Sequence, residues 1–354
     1  MRKTAVYQDP LFLAHETGRE HLESPQRLRT IYQDLESPEV AAKLILPTFA
    51  KATAATVKLA HTPELVREVA ATAAHPTCYL EADTRTSKDS YQAALLAVGA
   101  VIDGIRRLAT GEIDNGFCLV RPPGHHAERN RAMGFCLFNN IAIGARWALK
   151  HLGLERILII DWDLHHGNGT QRSFYRSDQV LYCSTHQYPF YPGSGAVPES
   201  GEGRGRGYTV NVPLTGGHGD NHYARVFNEL FVPLGRCFRP QLILVSCGFD
   251  ILAGDPVGAM QVTPAGVAYM TRVLQELATE CCQGRLLLTL EGGYDLDNMR
   301  DGTRAVLSEL YGAPLSASWP MALSPQENDR FRATRVPSAA IDQAILWTQN
   351  WWAL

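Results

Sequence analysis

The apolar run Ile157-Leu158-Ile159-Ile160 leads directly into Asp161-Trp162-Asp163-Leu164-His165-His166-Gly167-Asn168-Gly169-Thr170. No other stretch constrains the fold as much. An unbroken apolar run of this kind reads as a strand buried on both faces. Side chains alternate along an extended segment, so Asp161, Asp163 and His165 can project to one side while Trp162 and Leu164 project to the other. Carboxylates and imidazole then converge at the C-terminal end of the strand, where open α/β sheets hold their ligands. The Gly167-Asn168-Gly169 turn releases the chain.

Two carboxylates buried side by side are costly unless a cation or a donor network neutralises them. A lone Asp-x-Asp would be read as a polar strand end, but here it continues into His-His-Gly-Asn-Gly, which favours a metal site. A mixed oxygen and nitrogen ligand set suits zinc, and ferrous iron or cobalt fits the same ligands.

Three further buried-strand candidates end in reactive residues. Residues 117–120 run into Arg121-Pro122-Pro123-Gly124-His125-His126-Ala127-Glu128, whose prolines hold the paired imidazoles on a rigid loop. Residues 241–247 deliver Gly248-Phe249-Asp250, and residues 286–290 deliver Glu291-Gly292-Gly293-Tyr294. Strands are also expected over 4–8, 180–186 and 208–214, alternating with helices over 52–59, 63–74, 88–108, 140–151, 170–175, 221–234, 263–282 and 296–311. This alternation implies an α/β fold with a mostly parallel sheet. Residues 188–207, rich in Gly and Pro with Tyr188, Phe190 and Tyr191, are too long for a plain connection and read as a rim loop. His15 and His21 are surface or cap-linked on this reading.

Different strand ends of a parallel sheet meet at one edge. Asp163, His165 and Asp250 then form a three-ligand set with an open position, as catalytic zinc requires. His126 serves as proton shuttle, and Tyr294 as donor to a developing oxyanion. Asp161 orients His125, and Asn168 does the same more weakly for His126.

Composition excludes several other classes. With 33 basic and 36 acidic residues in 354, and a net charge of −3, the chain has no polycationic surface for nucleic acid or membrane. None of the 8 cysteines forms a Cys-x-x-Cys pair, so buried free thiols are expected. The N-terminus lacks a signal-peptide core and no run is long enough to span a bilayer, so a soluble cytoplasmic protein is expected. One domain over residues 1–354 is the simplest division. Its end, residues 316–354, is a Pro-containing connector and a helix bearing Ile341, Ile345, Trp347, Trp351 and Trp352. That helix is expected to pack on the parent domain, with a homo-oligomer contact as the alternative.

Arg-Pro-Pro-Gly-His-His-Ala-Glu, Gly-Phe-Cys-Leu-Phe-Asn-Asn, Asp-Trp-Asp-Leu-His-His-Gly-Asn-Gly-Thr-Gln, Gly-Phe-Asp and Leu-Glu-Gly-Gly-Tyr occur here in the order found in zinc-dependent histone deacetylases and their bacterial relatives. The resemblance spans about Tyr7 to Tyr311. It is similar to the class II branch, which has Trp between the aspartates and Asn where class I has a second Asp, here Asn168. The resemblance implies an arginase-like α/β fold, zinc on Asp163, His165 and Asp250, and catalysis by His125, His126 and Tyr294. It also implies a narrow acyl-lysine tunnel walled by Phe135 and Tyr191, with Gly292 or Gly293 in its lining; Tyr191 stands where Phe is commoner. Potassium is implied at backbone carbonyls of Asp161, Asp163, His165 and Thr185 with the Ser184 hydroxyl, and a second alkali ion at Phe174, Ser177 and Val180.

Relatives that deacetylate polyamines can carry Glu after Gly-Asp-Pro, whereas Gly254-Asp255-Pro256 is followed here by Val257. With no evident acidic insertion between His75 and Ser90, acyl-lysine is favoured over an acetylated small amine. Two other classes share the fold or pocket. A binuclear manganese ureohydrolase would need more bridging carboxylates, and a non-catalytic acyl-lysine binder would not need Tyr294.

Overall fold

A computed structural model describes all residues, 1–354. Its centre is a 7-stranded sheet in the order β1-β4-β9-β8-β5-β6-β7, and every pairing in it is parallel. The strands are β1 Thr4–Tyr7, β4 Asn115–Cys118, β5 Ile157–Asp161, β6 Val180–Gln187, β7 Thr209–Leu214, β8 Leu242–Cys247 and β9 Leu286–Leu290, while β2 Cys78–Glu81 and β3 Thr84–Thr86 form a separate hairpin. β5 and β9 are buried at every position, as their unbroken apolar sequences predict.

Helices cover both faces. Ser90–Thr110 packs with Asn140–His151 on one side, and Pro264–Cys282 with Leu296–Tyr311 on the other. Tight contacts explain small residues at the seams: a Cβ on Gly104 would lie 2.9 Å from Leu287, and one on Gly235 2.6 Å from Leu277. One contiguous core of 94 buried residues runs through both layers and includes Ile341 and Ala344 of the helix Ala339–Thr348. That helix lies against β7 at the sheet edge. Trp352, just beyond it, donates its indole N–H to the Gly207 carbonyl at 2.8 Å. No helix is long and apolar enough to cross a membrane.

Three departures from the sequence reading have local causes. β4 begins and ends two residues before the apolar run at 117–120, because Asn115 opens it, its amide donating to Gln275 at 2.8 Å and to the Leu310 carbonyl at 2.9 Å. The 221–234 helix becomes a longer rod, Asp220–Val226 and Val232–Phe238 joined by a π-turn at Phe227–Phe231. The tail holds two helices, Pro325–Ala333 and Ala339–Thr348, the first closed by a Ser324/Glu327 capping box.

β4, β9, β8 and β5 lie side by side, and these are the four strands whose ends carry His125-His126, Tyr294, Asp250 and Asp161-to-His165. The loops above them are tied from below by Glu23, fully buried, which holds Arg27 at 2.9 Å and Arg121 at 2.7 Å. Arg27 in turn donates to the carbonyls of Gly293 and Glu291. Removing the carboxylate leaves two buried guanidinium groups uncompensated. Glu23→Ala should therefore cost about 3–5 kcal/mol of stability in urea unfolding; a loss under about 1 kcal/mol would show that the cluster is not what anchors these loops.

Candidate active site

At the C-terminal edge of β5 the alternation holds. Asp161 and Asp163 are fully buried on the site side, and Trp162 and Leu164 are fully buried in the core, with Trp162 6.3 Å from the Phe227 ring. One carboxylate oxygen of Asp163 and one of Asp250 each lie 3.2 Å from His165 Nδ1. Ligand atoms from all three residues fall within 4.8 Å of one another. The other oxygens are already committed: Asp163 Oδ2 accepts from Gly292 N–H at 2.7 Å, and Asp250 Oδ1 from Leu164 N–H at 3.0 Å. Asp250 Oδ2 is buried with no hydrogen-bond partner, although it sits at ion-pair distance from His165. Two carboxylates and a ring nitrogen aimed at one point, one of them orphaned, form a donor set that fits a metal ion.

Backbone approaches this point closely, which is why glycine flanks it. A Cβ on Gly248 would stand 2.2 Å from Asp163, and one on Gly292 2.2 Å from Asp250. The structure thus corrects the expected place of Gly292 and Gly293. Neither is on the channel wall: Gly292 lies beneath the ligands, and a Cβ on Gly293 would meet Met299 and Phe249, each at 2.8 Å.

The paired histidines come from the loop after β4 and have unlike partners. His125 Nδ1 lies 3.2 Å from Asp161, whose same oxygen accepts from Tyr182 OH at 3.0 Å. Burial would lower the His125 pKa, but Asp163 and Asp161 outweigh it and raise it to about 10. His126 Nδ1 lies 2.8 Å from Asn168 Oδ1. The Asn168 amide nitrogen faces Glu128 at 2.7 Å, and a carboxylate can only accept. This orientation leaves the amide oxygen toward His126, so Nδ1 carries the proton and Nε2 is the free base. Burial, reinforced by the charges of His125 and His165, holds His126 well below the usual imidazole range.

Asp83, His126, Gly134, Phe135, His165, Tyr191, Val257 and Tyr294 enclose a cavity of about 120 Å³. Phe190 and Tyr191 of the rim loop pack on His165 with ring centroids 5.6 and 6.1 Å away, and Phe135 meets Tyr294 edge-on at 6.0 Å. Phe135 has φ 66°, a left-handed backbone that a bulky residue rarely adopts. Burial pushes the Tyr294 phenol well up, so it stays a hydrogen-bond donor. His15 and His21 stand apart from the ligands. His15 Nδ1 contacts Ser90 at 2.7 Å, and His21 packs on Phe135 at 4.8 Å.

The sequence reading missed several residues that place the others. Glu291 Oε2 accepts from the N–H groups of Gly124 and His125 at 2.6 and 3.1 Å; burial raises its pKa to about 7. Asp255 Oδ2 accepts from Tyr294 N–H at 2.7 Å, and Oδ1 from Val257 N–H at 3.1 Å, tying the two loops together. Asp83 sits in the turn of the β2–β3 hairpin and brings a carboxylate to the cavity rim. Glu291 and Asp255 lay inside the motifs already singled out. Nothing in the sequence near Asp83 marked a hairpin.

A parallel α/β sheet with this convergence of His-His, Asp-x-Asp-x-His, Asp and Tyr defines the deacetylase class of fold. Residues 21–310 match the family model described as the histone deacetylase domain, and the chain belongs to that family. It is 41% identical over 331 residues to histone deacetylase 15 of Arabidopsis thaliana, covering 91% of this chain and 59% of that protein. It is 39% identical over 309 residues to a probable deacetylase of Archaeoglobus fulgidus, covering 86% of each. Among solved structures, the crystal structure of the HDA15 HD domain superposes with TM-score 0.87 at 38% identity, covering 98% of this chain and 93% of that one. This chain spans about half to three-fifths of the length of three plant deacetylases that it matches, 59%, 49% and 47%.

Two tests address the metal set. Asp250→Ala should abolish stoichiometric metal in the purified protein, so full occupancy by elemental analysis would remove Asp250 from the ligands. Without metal, Asp163 and Asp250 overcome the burial that would lower His165 and raise its pKa to about 9. At pH 7 that proton must leave when a divalent ion binds, and affinity should rise with pH up to about 9. Calorimetry in buffers of different ionisation enthalpy should register the released proton; a buffer-independent heat would contradict it.

Proposed function

We propose that this chain is a zinc-dependent amidohydrolase that removes acetyl or other acyl groups from the side-chain amine of acyl-lysine. The observation that carries this reading is the convergence, at one narrow blind channel, of the ligand triad, a neutral His126 with a free Nε2 and a protonated Tyr294. Asp163, His165 and Asp250 would hold the zinc, which when bound would supply Lewis acidity and lower the pKa of water toward neutral.

The chain's own groups do the rest. Phe135, Tyr191 and Val257 give the channel an apolar wall suited to the methylene stem of lysine. His126 Nε2 takes a proton from the attacking water and returns it to the leaving amine, and the Asn168 amide fixes the tautomer this requires. His125, whose Nδ1 is held 3.2 Å from Asp161, stabilises negative charge building on the carbonyl carbon's oxygens. Tyr294 OH donates to the same developing oxyanion. Asp255 and Arg27 position it, the Arg27 guanidinium lying 5.0 Å from its ring.

A second reading is an acetylpolyamine deacetylase, and Asp83 is the observation in its favour: its rim carboxylate supplies negative charge for a distal ammonium. Val257 beside it favours the acyl-lysine reading. A binuclear ureohydrolase fits less well, because Asp161, the spare carboxylate, is already engaged by His125, Tyr182 and the Asp163 N–H at 3.2 Å. Potassium also belongs to the proposal. Asp161 pairs in register with Ser184, and the carbonyls of Asp161, Asp163, His165 and Thr185 with the Ser184 hydroxyl would hold the ion. The second alkali site would use Phe174, Ser177 and Val180, where the Phe174 carbonyl accepts from Ser177 N–H at 2.8 Å.

Tyr294→Phe should keep its metal and lose turnover on an acetyl-lysine peptide by on the order of a hundredfold or more, the usual scale for an oxyanion donor. Unchanged turnover would remove Tyr294 from the chemistry. The same assay run with acetylputrescine separates the two substrate readings, and the greater kcat/KM decides between them.

A further inference from the structure

Outside the channel, a larger cavity of about 510 Å³ opens beside the loop that carries His125 and His126, and its lining includes Arg129, Arg146, Arg172, Arg176, Glu128 and Ser177. Two of the arginines have carboxylate partners: Arg172 meets Glu128 at 2.9 Å, and Arg176 grips Glu202 with its nearest contact at 2.9 Å. The other two have none. Arg129 extends from an exposed position, with its backbone carbonyl accepting from Thr62 N–H at 2.8 Å. Arg146 donates one N–H to the Ser173 carbonyl and lies 5.2 Å over the Phe174 ring, yet its Nε is buried with no partner. Burial, with Arg129 nearby, lowers the Arg146 pKa. One concavity therefore gathers four guanidinium groups against two carboxylates, and one of the four is partly desolvated and short of an acceptor.

We propose that this cavity binds a small molecule carrying two or more phosphate groups. Guanidinium forks match phosphate oxygens in pairs, and such charge-assisted bonds are the strong ones. The hydroxyl groups of Ser173 and Ser177 on the same wall add donors. A single phosphate would leave most of the 510 Å³ empty. The site also communicates with the channel. Glu128, which would lose Arg172 to the incoming phosphate, accepts from Asn168 at 2.7 Å, and Asn168 contacts His126 at 2.8 Å. Occupancy should therefore alter turnover. That consequence rests on the amidohydrolase reading, whereas binding does not.

The test is calorimetric titration of the metal-loaded protein with fructose 1,6-bisphosphate at constant ionic strength, alongside inorganic phosphate and unphosphorylated fructose. Saturable binding of the bisphosphate is expected, weakened at least about tenfold by Arg129→Glu and by Arg146→Met, and unchanged by Arg204→Ala or Arg236→Ala elsewhere on the surface. The Arg129 side chain is exposed, so Arg129→Glu should keep its fold, which circular dichroism checks, and a poorly folded Arg146→Met does not decide the matter. The proposal is overturned by no saturable binding at millimolar bisphosphate, by equal affinity for inorganic phosphate, or by equal loss in the Arg204 and Arg236 controls. Binding that changes no turnover would leave the site standing and remove the link through Asn168.

Discussion

Three acceptors converge on one buried point, and much of the architecture around them exists to make that tolerable. Asp163, His165 and Asp250 cannot share their position without a cation or a proton, since bringing like charges out of water is expensive. The backbone supplies part of the answer through the N–H groups of Gly292 and Leu164. Gly248 and Gly292 allow those backbones to come so near. The sheet supplies the rest, because four adjacent parallel strands release their chains at one edge.

Most of this edge was legible in the sequence. Long apolar runs such as 286–290 left little freedom over where strands lie, and each was followed at once by polar residues whose burial demands a reason. The alternation at Asp161-Trp162-Asp163-Leu164-His165 carried the facing of each side chain, because period-two geometry has only two outcomes. The spacing between motifs did not itself bring them together. Parallel pairing of the strands did, and the alternation of strands and helices implied it.

What escaped has a common character. Glu128, Glu291, Asp255, Arg27 and Glu23 act on other residues rather than at the reacting point, and a polar residue in a loop, or at the start of a helix as Arg27 is, gives no pattern to show which distant group it will pair with. The β2–β3 hairpin escaped for another reason: it is short, its exposed face is mixed, and Cys78–Glu81 is nowhere fully buried, so hydrophobic periodicity was absent. Asn115 hid the start of β4 because a buried amide with two partners looks, in sequence, like a turn residue.

The carboxamide of Asn168 sits between an imidazole and the Glu128 carboxylate, its oxygen accepting from His126 and its N–H donating to Glu128. An acid in its place would lose the donor and confront Glu128 with a like charge across the same short gap. A chain with Glu at 128 is thereby committed to a neutral residue at 168, whereas a neutral acceptor such as glutamine at 128 would still take the Asn168 N–H. The order of change is therefore fixed, since a carboxylate at 168 meets no like charge only after position 128 has given up its own.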